Sequence, residues 1–259
     1  MNKKIIDFSK YSSIKVGGEI PITIVKDFND RKEGWRIVGY GYNLLVSPEA
    51  KDIAILDNRY DYIKDIGEFI EIGAFTSAQK IYKYFKNFNL YGLEFLGALP
   101  GSLGGLIKMN AGMKAYEIKD ILECVCIDGE WRQKESLNIG YRNTNIEGII
   151  FAARFKKKVG FREDLSPLFH KMRSSHPKKP SCGSCFKNPS GYFAGKLLES
   201  VGLKGYCIGD IGFSQEHSNF LVNLGGGKFE DALQLIELGK KRVFEEYGIQ
   251  LEEEVVILE

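Results

Sequence analysis

Three histidines are all that 259 residues contain. His170, His176 and His217 lie in neither a GxSxG nor an HExxH setting, so hydrolase and zinc-protease readings are weak. Long apolar runs are missing too. None reaches the roughly 18–20 residues that a bilayer core requires, so no membrane span and no membrane partner is expected. The opening stretch MNKKIIDFSKYSS has lysines but no extended apolar core. It does not read as a signal peptide, and the cytoplasm is the expected compartment. Neither sign of charge dominates: 36 Lys and Arg against 34 Asp and Glu leave a formal charge of +2. That balance argues against a strongly basic protein with a nucleic-acid partner. The basic clusters at 156–158 and 178–179 read as solvated faces. No internal repeat or low-complexity segment occurs, and neither a Walker loop nor a GxGxxG turn is present.

Cysteine is scarce and odd in number. Five cysteines in a chain of this size read as free thiols rather than a disulfide framework. Cys124-Val-Cys126 and Cys182-Gly-Ser-Cys185 together offer four soft ligands, but CxC plus CxxC is not a strong structural zinc spacing. The CxxC also comes late in the chain and is followed by Phe186-Lys187-Asn188-Pro189, unlike a thioredoxin-type motif. A zinc- or thiol-based module is carried as an alternative.

What the chain does have is an ordinary globular composition, 44% hydrophobic and 27% charged, and length enough for a substantial core. Residues 20–25 alternate and are β-branched, so they read as a strand. Further strands are expected at 35–39, 53–56, 69–72, 121–127, 149–155 and 219–223, with a terminal one at 254–258. Asp128-Gly129 reads as a hairpin-like turn. Helical spacing appears at 77–88, with Ile81, Tyr84, Phe85 and Phe88 on one face and Thr76 or Ser77 as cap. It recurs at 192–201, with Phe193, Leu197, Leu198 and Val201 inward and Gly202 as terminator. The longest helix is expected at 230–247, closed by Gly248. Residues 160–179 read as a polar, basic connection between domains. Strands and helices mix without steady alternation, which predicts an α+β fold with two or three subdomains.

Glycine is abundant, at 29 residues, and it gathers in one stretch. Residues 99–112 read LPGSLGGLIKMNAG, with Pro100, Gly101, Ser102, Gly104, Gly105, Asn110 and Gly112, and Gly97 just upstream. Paired glycines let backbone approach a ligand closely, and amide N–H groups in such a loop suit a diphosphate. Tight turns between core elements are the plain alternative. A second glycine loop, Gly39-Tyr40-Gly41-Tyr42-Asn43-Leu44, lacks the third glycine and the following helix of a dinucleotide-binding turn. Three further candidates carry chemistry. Ser184 sits in a small-residue turn. Arg142 follows Tyr141 after a strand break, where a planar guanidinium suits a carboxylate. Glu252, Glu253 and Glu254 close the chain, with Glu252 and Glu254 on one face if the segment is extended.

Together these pieces resemble the UDP-N-acetylenolpyruvoylglucosamine reductases, the UDP-N-acetylmuramate dehydrogenases of the shorter subclass. The likeness runs from about Ser12 onward. It is carried by IKVGG at 14–18, GYNLLV at 41–46, PGSLGG at 100–105 with MNAG at 109–112, and Tyr141-Arg142. It continues through GSCFKNP at 183–189, GKL at 195–197, GLKG at 202–205, Ser214 with His217, Asn219-Phe220 and LEEEV at 251–255. The resemblance implies a two-subdomain FAD-binding fold of the vanillyl-alcohol-oxidase type at 1–57 and 58–160, and a substrate-binding α+β domain at 161–259. It implies FAD as cofactor, NADPH as hydride donor, and reduction of a small sugar-nucleotide, UDP-N-acetylglucosamine enolpyruvate. Arg142 and a protonated Glu254 would stabilise the enolate, and Ser184 would donate the proton. Both glycine loops, from Gly39 to Leu44 and from Pro100 to Gly112, would lie against FAD, and Lys187 and Asn188 would contact substrate. A non-catalytic sugar-nucleotide binder is the other alternative. Departures from the family pattern are Tyr40 and Tyr42 in place of small residues, a short 26–34 segment, Cys182 and Cys185 where Ala and Val are usual, and no tyrosine-bearing insertion.

Overall fold

Alternating apolar residues build the first sheet. In the computed structural model, which describes residues 2–30 and 32–259, Met1 and Arg31 lie outside the described residues. The chain divides into two units, each made of several segments. The first comprises 1–4, 22–39 and 52–174, and the second 5–21, 40–51 and 175–259.

In the first unit, five antiparallel strands run in the order Glu130–Gln133, Leu122–Ile127, Ile150–Lys156, Phe69–Gly73, Ile63–Asp65. Ile70, Ile72, Val125, Ile127, Ala153 and Phe155 are buried. The helix Ala78–Asn87 follows, capped by the Ser77 side chain, which accepts from the Lys80 N–H. Ile81 and Phe85 face inward as expected, but Phe88 falls just past the helix end, 61% exposed, with its ring 4.5 Å from that of Tyr84. A smaller parallel group joins Thr23–Val25 to Ile53–Leu56, and Ile53–Leu56 to Arg36–Ile37. The expected connection at 160–179 holds a helix instead, Ser166–Arg173, with Pro167 in its first turn and Phe169 buried against Phe95 and Tyr116.

In the second unit, four antiparallel strands are ordered Ser181–Ser184, Phe220–Asn223, Ile211–Phe213, Cys207–Ile208. The helices Ala194–Ser200 and Phe229–Tyr247 complete its core, with Leu197, Leu198, Leu235, Ile236 and Val243 buried beside Phe186 and Phe213. Gly239 allows the long helix its close seat, since a Cβ there would lie 3.2 Å from Leu198 and 3.3 Å from Phe186. Gly248, at φ 66°, ends that helix. Phe193 does not turn inward; it occupies the cap position of the shorter helix, 62% exposed, with the Lys196 ammonium over its ring. The terminal strand is shorter than expected, Val256–Leu258, and pairs in parallel with Leu44–Val46. Among the described residues no helix is long and apolar enough to cross a membrane.

Candidate active site

Ser184 stands at an irregularity in its strand. Ser181 pairs with Val222 and Ser184 with Phe220, so three steps on one strand match two on the other. Such a bulge re-aims the side chains that follow it. Gly183 supplies the extra residue at φ 82°, a conformation that favours glycine. Immediately beyond, the Cys185 N–H donates to the Asn219 carbonyl at 2.6 Å, while the Cys185 carbonyl accepts from the Glu254 N–H at 2.8 Å and the Val255 N–H at 3.3 Å. Phe186 bridges to Glu253, and the Lys187 N–H donates to the Glu252 carbonyl at 2.9 Å. The structure therefore brings Ser184 and Glu254 together within the second unit, through backbone bonds made by the residue next to the serine.

The three glutamates part company. Glu252 pairs with Lys187 at 3.2 Å, and Glu253 pairs with Lys240. Glu254 is half-buried, and its carbonyl accepts from the Asn43 side-chain amide at 2.8 Å. The Asn43 carbonyl in turn accepts from the Val256 N–H at 3.0 Å. Asn43 thus grips the chain on both sides of Val255. The loop before it is held by Ser13, whose N–H donates to the Gly41 carbonyl and whose hydroxyl donates to the Tyr42 and Ser181 carbonyls. Leu44 begins the strand that pairs with Val256. The Tyr11 hydroxyl is pushed up to about 12, first by burial and then by the charges of Tyr40 and Tyr42 when these ionise. Lys187 is committed to Glu252, and the Asn188 side-chain oxygen accepts from the Ala194 N–H at 3.0 Å, capping the short helix.

The first unit holds Arg142 and the central glycine stretch. Gly101 is at φ 129°, and its carbonyl accepts from the Ala78 N–H. The Leu103 and Gly104 N–H groups donate to the Thr76 and Ala74 carbonyls. These two amides are therefore taken up by the protein, and closeness of backbone rather than a full ring of amides is what this loop offers a cofactor. Gly39 meets it at short range: a Cβ on Gly39 would lie 2.1 Å from the Ser102 hydroxyl. Gly105 is exposed, and a Cβ there would meet only Ser102, at 3.5 Å. A loop narrowed to bare backbone, open at Gly105, fits a flat aromatic cofactor with a diphosphate arm, so the residues present fit FAD.

Arg142 lies at the tip of the hairpin formed by Ile139–Gly140 and Asn143–Thr144, at φ 51°. Its guanidinium donates to the Gly112 carbonyl at 3.2 Å and the Asn110 carbonyl at 3.5 Å. Asn110 is fully buried; its side chain donates to the Gly140 carbonyl at 3.0 Å and accepts from the Lys119 N–H at 3.4 Å. Pro100 to Gly112 and the Arg142 hairpin are thus one interlocked structure.

Among the described residues, no three His, Cys, Asp or Glu side chains are grouped so as to hold a metal ion. Cys124 and Cys126 belong to the first unit, Cys182 and Cys185 to the second. The latter two are fully buried, which pushes the Cys182 thiol up to about 12 and the Cys185 thiol well above its ordinary value, so neither is a ready thiolate nucleophile. Replacing Cys182 with Ala and Cys185 with Val together is expected to cost no more than about 1.5 kcal/mol of stability and to leave turnover unchanged, checked by thermal melting and steady-state assay.

Residues 175–258 match the family model described as "UDP-N-acetylenolpyruvoylglucosamine reductase, C-terminal domain". The UDP-N-acetylenolpyruvoylglucosamine reductases of Helicobacter hepaticus and Helicobacter pylori strain J99 are 56% and 53% identical, each over the whole of both chains. The crystal structure of the corresponding reductase (MurB) from Thermus caldophilus superposes with a TM-score of 0.86 at 32% identity, covering all of both chains. On full-length identity and shared fold, the chain belongs to the UDP-N-acetylenolpyruvoylglucosamine reductase family.

Proposed function

We propose that this FAD-dependent oxidoreductase uses NADPH to reduce UDP-N-acetylglucosamine enolpyruvate to UDP-N-acetylmuramate, a step of peptidoglycan precursor synthesis in the cytoplasm. Arg142, Ser184 and Glu254 are its catalytic side chains. The observation that carries the assignment of Ser184 and Glu254 is the 2.8 Å bond from the Glu254 N–H to the carbonyl of Cys185, which supports their acting as a pair. In this reading 1–57 and 58–160 form the two FAD-binding subdomains, and 161–259 holds the sugar nucleotide.

Gly39, Pro100, Gly101, Ser102, Gly104 and Gly105 would hold FAD, with Tyr40, Gly41, Tyr42, Asn43, Leu44, Asn110 and Gly112 shaping the surrounding loops. Bound there, FAD would carry a hydride from NADPH to the terminal vinyl carbon of the substrate. As that carbon is reduced, negative charge grows on the substrate carboxylate. The Arg142 fork is suited to it by shape and permanent charge. Glu254 helps only as the neutral acid, donating its proton in a hydrogen bond to the same group. Ser184 then gives its hydroxyl proton to the adjacent carbon. A serine is a weak acid, and an enolate is basic enough to take its proton. Solvent reprotonates the serine. Asn188, with one side-chain oxygen on the short helix, and Lys187, paired with Glu252, would border the substrate.

The test is the visible spectrum of the purified protein, followed anaerobically. Flavin absorbance is expected, bleached by NADPH and restored by the enolpyruvyl sugar nucleotide. Bleaching without restoration would remove this substrate from the assignment. A sugar-nucleotide binder without catalysis would hold ligand and show neither change.

A further inference from the structure

Asn219 is a polar side chain almost fully buried, 4% exposed, and the catalytic chemistry above makes no use of it. Its bonding is directed at one place. The Phe186 N–H donates to its side-chain oxygen at 3.0 Å, and its side-chain N–H donates to the Phe186 carbonyl at 2.7 Å. Its own carbonyl accepts from the Cys185 N–H at 2.6 Å. The side chain thus does what a paired strand would do, offering one acceptor and one donor to a single residue. A real strand cannot supply them here, because the bulge at Ser184 has already thrown the ladder out of step with Phe220–Asn223.

The other flank of the same segment is occupied by Glu252, Glu254 and Val255. Cys185 and Phe186 are therefore clamped from both sides. One jaw is Asn219, and the other is the strand end that carries Glu254. Asn219 is itself fixed: its backbone N–H donates to His217 Nδ1 at 3.3 Å, and the His217 backbone N–H donates to the Ser214 hydroxyl at 3.4 Å. As an acceptor, that ring nitrogen carries no proton, and burial lowers the pKa of His217, which keeps the ring neutral.

We propose that Asn219 is the positioning residue of the proton-donating strand: its amide replaces the ladder bonds lost at the bulge and sets the aim of Ser184 relative to Glu254. The inference rests on the reading of Ser184 as proton donor. A small shift in such a group is costly, since about 1 Å of misplacement can slow a step about 100-fold.

The experiment is a double-mutant cycle on the FAD-loaded protein, using Asn219→Ala, Ser184→Ala and the combination. Stopped-flow absorbance follows flavin bleaching by NADPH and its recovery with UDP-N-acetylglucosamine enolpyruvate separately. Asn219→Ala is expected to leave bleaching within about twofold of the parent and to slow recovery by about 10- to 100-fold. In the Ser184→Ala background the same change is expected to cost less than about twofold more, because its effect passes through the serine. Equal slowing of both half-reactions, an equal penalty with and without Ser184, or no slowing of recovery would each overturn the role of Asn219. A Ser184→Ala protein that recovers at the parent rate would instead overturn the assignment of Ser184, and the inference with it. Should Asn219→Ala fail to fold, Asn219→Asp replaces it in the cycle. It keeps the acceptor for the Phe186 N–H and loses the donor to the Phe186 carbonyl, and the same outcomes decide.

Discussion

Replacing Ser184 with Ala is expected to leave NADPH-driven bleaching of the flavin within about twofold of the parent and to slow recovery by the enolpyruvyl substrate by about 100- to 10,000-fold, the range spanned by a positioned general acid. The asymmetry is the point. Hydride transfer into the flavin involves no carbon that the serine must protonate, whereas the second half-reaction cannot finish without that proton. Stability should scarcely move. Ser184 contributes backbone to the sheet, and an alanine at the same place keeps both the pairing with Phe220 and the glycine turn before it. Ser184→Cys is a useful companion: a thiol is the stronger acid, so partial recovery of rate would point to proton donation rather than to binding. Stopped-flow traces of the two half-reactions, with a thermal melt of each variant, check all of this. A loss shared evenly by both half-reactions would remove Ser184 from the role of acid.

Removing the guanidinium at Arg142 is expected to cost about 100- to 1,000-fold in the substrate half-reaction, as for the loss of one donor to a developing anion. Lysine should not restore it, because a point charge cannot donate to a carboxylate in the planar fork that arginine presents. Stability supplies a second readout, of opposite sign. Arg142 occupies φ 51°, which an arginine adopts at a cost and a glycine without one. Arg142→Gly is therefore expected to melt no lower than Arg142→Ala, despite the lost bonds to Gly112 and Asn110, while being equally inactive. A hairpin tip that holds a strained arginine where glycine would be easier is consistent with a side chain kept for chemistry. If Arg142→Gly retained full substrate reduction, Arg142 would be structural only.

Much of the fold was legible where periodicity and capping agree. The helices at 78–87 and 229–247 announced themselves by an apolar face, a serine cap or a terminal glycine. The helix at 166–173 did not, because it is only eight residues long and fully buries just Phe169, with Leu168 and Met172 interrupted by His170, Lys171 and Arg173, too short a run to show a helical face. The strand Glu130–Gln133 was hidden for a related reason: all four residues are exposed on a sheet edge, and no alternation marks them. Phe88 and Phe193 misled because each falls one residue outside its helix, where the helical register no longer governs which way a side chain faces. Of the residues proposed for catalysis, Arg142, Ser184 and Glu254 stand out in the sequence by type and order, but what holds each of them in place does not. That Cys185 carries the bond between serine and glutamate strands, or that Asn43 and Asn219 brace those strands with side-chain amides, depends on partners far apart in sequence. Asn219 was visible only as the first residue of an expected strand and as part of the Asn219-Phe220 pair that carries the family resemblance; its bonds to Phe186 were not.

The second unit is a knot of early and late chain. Asn43 and the carbonyl it grips are separated by 211 positions, and the segments 5–21 and 40–51 belong with 175–259 rather than with what lies between. As the chain emerges, Leu44–Val46 has no strand partner until Val256–Leu258 has been made. That apolar edge must therefore wait while the roughly 200 residues between the two strands are made, and the intervening unit can fold in the meantime. Closing so long a loop is slow, and waiting edges are where chains stick to one another. The glutamate proposed for catalysis lies beside this long-range seam, so activity is expected to appear only once the seam has closed.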